Sequence, residues 1–248
     1  MQDHPLVPGP SSAVERGPWH YGADYISVYF RGDAKKMASL VPPPIEVNDG
    51  QGVAYVCEIV SVSDGDPDAV ARHPERTLYR EAALGVGCRF GDKTGVFYPI
   101  MWVSTEWALL RGLLNGYQKR MADGIFLTRM HPLNPGLRPL GTGSRLSGFC
   151  MKGPERTLWV DVDVREKGTS VDLPRFGATF GRRAFPRTDI SQGAVSEIVE
   201  IAKSDQRTAE VWIGDGTFGS SFDLGETEPV KGAVYQSGFT ISGSKVLA

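Results

Sequence analysis

Thirty glycines and seventeen prolines are scattered over the whole 248-residue chain and leave few stretches long enough for a regular helix. Proline removes a backbone donor, and glycine carries the largest conformational entropy cost, so both punctuate regular structure. What remains between them are short runs rich in β-branched and aromatic residues. Asp24 to Arg31, Gly52 to Val62, Glu81 to Phe90, Gly95 to Val103, Leu158 to Val164, Ala194 to Ile201, Glu210 to Ile213 and Val234 to Ile241 all read as strands. This pattern predicts an α+β fold that is mostly antiparallel β, with few helices.

Two segments read as helical. Asp33 is a candidate cap for a helix from Ala34 to about Val41, stopped by Pro42, Pro43 and Pro44. The second follows Ser104 or Thr105 as N-cap. Glu106 suits the positive end of the dipole, Trp107, Leu110 and Leu114 recur at helical spacing, and Gly116 can close the helix in a left-handed conformation. Tyr117, Gln118, Lys119 and Arg120 therefore lie just beyond a helix that follows a buried strand. A segment held rigidly at one end suits a functional side chain. Residues 65–76 and 133–145 read as loops. One domain is expected from residue 16 to residue 248, behind a flexible Pro- and Ser-rich segment at 1–15.

Charge and composition narrow the function. A formal net charge of -2 gives no clustered excess of Lys and Arg for nucleic acid or an anionic membrane, so small molecules are the expected partners. Apolar runs such as Val96 to Val103 fall well short of the ~20 residues a membrane helix needs. The amino-terminal residues have neither a basic start nor an apolar stretch, which predicts a cytoplasmic protein. Cys57, Cys88 and Cys150 are odd in number and widely spaced, and read as small reduced core residues rather than a disulfide framework or zinc site. His4, His20, His73 and His131 form no metal-ligand pattern, so neither metal nor cofactor is expected.

The chemistry centres on Lys119 and Arg120. A fixed cation beside an amine disfavours its protonated form, as burial does, and a neutral amine attacks a ketone. The same dipeptide also fits a solvated helix end. Glu58 is unusual within the apolar run VAYVCEIVSV, where a buried charge needs a cationic partner unless the residue faces solvent.

The ordered series Arg16-Gly17-Pro18-Trp19, Tyr25 to Asp33, Val41-Pro42-Pro43-Pro44-Ile45-Glu46, Glu58 to Asp64, Tyr79-Arg80-Glu81, Gly116 to Met121, Trp212-Ile213-Gly214 and Pro229-Val230-Lys231 resembles the acetoacetate decarboxylase family over nearly the whole chain. Residues 125–193 align poorly. The resemblance implies a closed or conical β-barrel, a homo-oligomer and a lysine Schiff base with a small keto acid. Activation of that lysine by desolvation or by a second cation is the family's known device. Carried over by position, Lys119 takes the Schiff-base role and Arg120 that of the neighbouring cation. Glu81 becomes the proton shuttle, and Glu58 the carboxylate that tunes the pair.

Two departures bear on the reaction. The arginine that the family's decarboxylases carry ahead of the first long strand falls here at Gly22 or Ala23, the nearest arginines being Arg16 and Arg31. The second cation is a planar guanidinium rather than an amine, able to hold a carboxylate with two hydrogen bonds. The expected reaction is decarboxylation of a β-keto acid through an enamine. The alternative is an aldolase-dehydratase that condenses a 2-keto acid with an aldehyde co-substrate, using Tyr117, Gln118, Tyr235 or Gln236 for polar contacts or for the acid of dehydration. A non-catalytic keto-acid-binding protein on the same fold is the reading from another class.

Overall fold

The computed structural model describes residues 13–186 and 194–248, so part of the amino-terminal segment expected to be flexible lies outside the described residues. The elements run β1 (Trp19–Arg31), α1 (Ala34–Ala38), β2 (Glu46–Ser63), α2 (Ala69–Arg72), β3 (Leu78–Phe90), β4 (Lys93–Val103), α3 (Glu106–Asn115), β5 (Lys119–Met121), β6 (Gly124–Leu127), β7 (Arg145–Lys152), β8 (Glu155–Lys167), β9 (Ala178–Pro186), β10 (Ala194–Ser220) and β11 (Glu228–Val246). The strands form one sheet in the order β11-β1-β2-β3-β4-β9-β10-β8-β7-β6, with β5 alongside β4.

A second pairing, between β10 and β11, closes the sheet into a ring. The expected closed, strand-dominated barrel is therefore the observed fold. Closure depends on the length of β10. Its first part pairs with β9 and its last part with β8, and the two strands read separately at 194–201 and 210–213 are pieces of this one. Beyond the ring, β8, β7 and β6 extend the sheet as a flap over the barrel's outer face.

Strand alternation divides the side chains between two cores. Ile26, Val28 and Phe30 of β1, Ala54 and Val56 of β2, and Leu84 of β3 pack with Val160 and Val162 of β8 between barrel and flap. The intervening residues Tyr55, Cys57 and Ile59 of β2 face the barrel interior with Tyr79, Ala83, Met101 and Tyr117. All three cysteines are buried and free. Among the described residues no helix is long and apolar enough to cross a membrane.

The helices differ from expectation in extent. α1 ends at Ala38 rather than near Val41, and its cap is as read: the Asp33 side chain accepts from the Lys35 and Lys36 amides. The loop at 65–76 contains α2 and a 3-10 turn at Pro74–Arg76. α3 ends at Gly116 with φ +102°, the left-handed closure expected. A side chain there would collide with Val199 Cγ2 at 2.6 Å, so only glycine fits. The buried stripe of α3 is Ala108, Arg111, Gly112 and Asn115, not Trp107, Leu110 and Leu114.

Candidate active site

Lys119 opens β5, whose three residues lie parallel to the edge of β4 in the register Met101–Lys119, Trp102–Arg120 and Val103–Met121. That register turns Lys119 into the barrel. Its Nζ lies 2.8 Å from Glu81 Oε2, and the two side chains are only 6% and 4% exposed. Glu81 reaches the same interior because it stands opposite Cys57 on one side and Val103 on the other. Its second oxygen, Oε1, accepts a hydrogen bond from Tyr55 Oη at 2.7 Å. Burial holds the Tyr55 phenol well above its usual range, so it remains a donor.

The lysine stem crosses α3 at Gly112. A Cβ on that residue would stand 2.2 Å from Lys119 Cδ and 2.6 Å from Cε. Glycine in a helix interior costs about 1 kcal/mol relative to alanine, and here it provides the channel through which the amine enters. The ammonium also lies 5.0 Å from the centroid of the Tyr79 ring and 5.8 Å from that of Tyr117, within cation–π range.

Two further cations share this chamber. Arg111 is 4% exposed, and its guanidinium sits among the rings of Trp107, Tyr21 and Trp19 at 4.8, 5.4 and 5.8 Å. It donates to Ser61 Oγ at 2.7 Å, and among the described residues no carboxylate forms an ion pair with it. Lys203, from β10, places its Nζ 4.9 Å from the Phe239 ring centroid and 5.8 Å from that of Tyr117. Burial pushes the Lys203 ammonium down to about 8; Glu81 opposes that shift and Lys119 adds to it.

These groups line an inner chamber of about 50 Å³. A cavity of about 550 Å³ adjoins it, walled by aromatic rings from Tyr25, Tyr29, Phe176 and Tyr235. Tyr25, Tyr55, Tyr98, Lys203 and Phe239 line both spaces, so the two meet at that rim.

The residues singled out in the sequence divide accordingly. The structure brings together Lys119, Glu81 and Tyr117 in the inner chamber and places Tyr235 in the outer one, stacked on Tyr25 at 5.1 Å. It keeps the other five out. Arg120 is exposed, because adjacent strand residues face opposite ways, so the cation beside Lys119 is not its sequence neighbour. Glu58 stands opposite Asp24 and Arg80 on the outer face, where it pairs with Arg80 and Arg129, each at 3.0 Å. The cationic partner expected for this carboxylate is therefore a pair of arginines rather than the lysine. Gln236 donates to Asp24 on that outer face at 3.0 Å. Arg31 pairs with Asp49 at the exposed far end of β1. Gln118 donates to the Gly116 and Arg182 carbonyls at 3.0 and 2.7 Å, tying the turn before β5 to β9.

Arg111, Gly112, Lys203 and Tyr55 were not singled out. The spacing 108, 111, 112, 115 within α3 could have exposed the first two, since a glycine and an arginine on one stripe of an otherwise apolar helix need a reason. Lys203 stands two residues after the buried Ile201, hence on the same face of its strand.

A sequence profile described as acetoacetate decarboxylase matches residues 3–247. The chain belongs to the acetoacetate decarboxylase family. No curated protein matches. Among solved structures, an acetoacetate decarboxylase-like enzyme from Sphingomonas wittichii RW1 shares 36% identity over 96% of both chains, with a TM-score of 0.90. The enduracididine biosynthesis enzyme MppR, solved with the condensation product of pyruvate and imidazole 4-carboxaldehyde, superposes at a TM-score of 0.86 with 22% identity, over 97% of this chain and 93% of that one. Acetoacetate decarboxylase from Legionella pneumophila reaches a TM-score of 0.76 at 14% identity, over 94% and 88%. The last two show the shared fold.

Proposed function

We propose that this chain is a Schiff-base-forming lyase in which Lys119 binds a 2-keto acid of pyruvate's size, and that the resulting enamine adds to an aldehyde with loss of water. The observation that carries this reading is a charge imbalance: among the described residues, the inner chamber gathers Lys119, Lys203 and Arg111 around one carboxylate, that of Glu81. Buried cations in excess call for an anion. A keto acid brings one, and Arg111, with no carboxylate partner among the described residues, is the fork able to take it with two hydrogen bonds.

The arrangement of the two cavities and the handling of the carboxylate support this reaction over decarboxylation. The inner chamber, at about 50 Å³, is the smaller of the two spaces and favours a small keto acid on Lys119. The larger aromatic cavity at its rim then has room for a second reactant. A carboxylate clamped on a guanidinium is stabilised as an anion, and that opposes its departure as neutral carbon dioxide. The same clamp suits a reaction that keeps the carboxylate. MppR, on this fold, carries a pyruvate–aldehyde condensation product, which supports the same direction.

In this scheme Glu81, 2.8 Å from the amine, takes the Lys119 proton and frees the nucleophile. The amine adds to the C2 carbonyl, Glu81 returns that proton to the departing hydroxyl, and loss of water leaves a protonated imine whose positive nitrogen draws electrons from C3. Removal of a C3 proton by Glu81 gives the enamine. Tyr55, donating to Oε1, holds the carboxylate in register for both transfers.

The test is borohydride reduction in the presence of pyruvate, read by mass spectrometry, followed by assays with an added aldehyde and, separately, with acetoacetate. The expected result is a modified Lys119, none in Lys119→Ala, and an unsaturated keto acid in preference to carbon dioxide. Carbon dioxide from acetoacetate without condensation would return the chain to decarboxylation. A chain that binds pyruvate and is never trapped would be a keto-acid-binding protein.

A further inference from the structure

Lys203 occupies a position that imine formation does not use. It lines both cavities, at the rim where a molecule in the outer cavity must present its reactive end to an enamine on Lys119. The rings of Tyr117 and Phe239 flank its amine at 5.8 and 4.9 Å, and the Lys119 amine lies 5.8 Å from that same Tyr117 ring. One side of the outer cavity is rings stacked in pairs, Tyr25 on Tyr235 at 5.1 Å and Tyr29 against Phe176 at 6.4 Å, and Arg175, Gln206, Thr208 and Ser237 line it with polar groups. Among the described residues no aspartate or glutamate lines that cavity. Such a space accepts a flat apolar ring and repels no anion.

We infer that the outer cavity holds an aromatic aldehyde and that the Lys203 ammonium is the acid that protonates its carbonyl oxygen. This rests on the condensation reading above and names its second substrate and second catalytic residue.

When the enamine carbon attacks, a C–C bond forms and the carbonyl π pair moves onto the aldehyde oxygen, which takes a proton from Lys203. The amine so freed removes one of the two protons left on C3. Its ammonium then protonates the departing hydroxyl, which leaves as water. Hydrolysis of the conjugated imine returns Lys119, and the proton held by Glu81 restores Lys203.

Other donors at the rim are poorer. Burial holds the phenols of Tyr25, Tyr55 and Tyr98 well above their usual range. Lys203 is pushed the other way, to about 8, by burial, with Glu81 opposing and Lys119 reinforcing. Near neutral pH it is therefore protonated, yet a far stronger acid than those phenols.

The experiment uses pyruvate with benzaldehyde as probe and compares the wild type with Lys203→Met and Lys203→Arg. Borohydride trapping of pyruvate on Lys119 reports the first half-reaction, and formation of the unsaturated keto acid reports the second. Lys203→Arg, which keeps the charge, is expected to be trapped, Lys203→Met to be trapped more weakly because the chamber loses a cation, and in both condensation relative to trapping falls by roughly 10²–10⁴-fold, the span of a lost general acid. Arginine keeps the charge and cannot release the proton, so it should be no better than methionine. Condensation by Lys203→Arg at the wild-type rate would overturn the acid role, and faster wild-type turnover of acetaldehyde than of benzaldehyde would overturn the aromatic assignment. Failure of the wild type to be trapped at all would instead refute the Schiff-base reading.

Discussion

Gly112→Ala sets two energies against each other. Alanine is the better helix former, so propensity alone predicts a gain of about 1 kcal/mol. The new methyl, however, would stand 2.2 Å from Lys119 Cδ, 2.6 Å from Cε and 2.8 Å from Cγ. Ordinary carbon contacts are about 3.5–4.0 Å. The lysine stem must therefore move by more than an ångström, and it is the middle of the chain that is struck, not a free end. Such a move breaks the 2.8 Å approach of Nζ to Glu81. Separating a buried ion pair costs about 3–5 kcal/mol at most, so the net expectation is a loss of about 2–4 kcal/mol. An ångström of misplacement at a reacting atom costs about 10²-fold in rate. Urea unfolding reports the first quantity, and the rate of borohydride trapping with pyruvate the second. A variant more stable than wild type by about 1 kcal/mol and trapped at the wild-type rate would show that the lysine does not cross the helix at this residue.

Glu58→Gln should leave pyruvate trapping and turnover unchanged, while lowering stability by about 1–2 kcal/mol, because Arg80 and Arg129 lose a shared, largely buried partner; a fall in turnover at constant stability would restore Glu58 to the catalytic group. Folding holds Lys203 at about 8 against 10.5, so the folded chain binds fewer protons than the unfolded chain between those values. The Lys203 contribution to unfolding free energy should therefore rise as pH goes from 8 to 10.5, and a difference of ~2.5 pH units sets that contribution at about 3 kcal/mol. The buried thiols, whose pKa values are raised, contribute with the opposite sign in both proteins, so the check is the difference between wild type and Lys203→Met in chemical denaturation, which should grow across this window. Tyr55→Phe removes the hydrogen bond to Glu81 Oε1 and is expected to slow trapping by about tenfold with little effect on pyruvate affinity; equal rates would mean Glu81 needs no such support.

How much of this was legible depended on the range of the forces involved. The closure of α3 at Gly116, and the placing of Lys119 just beyond it, follow from a cap, a dipole and a residue free to adopt positive φ, all readable within a dozen residues. The predominance of strands followed from the spacing of glycine, proline and β-branched residues, whereas the closed barrel was implied by the family resemblance. β5 was not legible, because three residues form a strand only where the β4 edge stands ready to pair with them. Its absence misplaced Arg120: adjacency suggests proximity, whereas in a strand it guarantees opposite faces. The same rule separates Glu58 from Glu81, since β2 and β3 pair Cys57, not Glu58, with Glu81. Arg111 and Lys203 reach the chamber from a helix and from the strand that closes the ring; local spacing can put each on a buried face, but the closure that brings those faces together is long-range.

The positive charge of the chamber is thus supplied from three separate elements, and this explains a difference visible in the sequence. An arginine in place of a second lysine at position 120 leaves the site untouched, because that side chain projects outward. The second amine of the chamber is Lys203, against the same Tyr117 ring, and the pKa of its own ammonium is lowered by burial and by Lys119. Holding three cations against one carboxylate, among the described residues of a small interior chamber, is costly to folding. A substrate that arrives with its own carboxylate corrects the imbalance. Binding then releases part of a cost that folding has already met, and this gives a small acid of few atoms a purchase that its own surface could not provide.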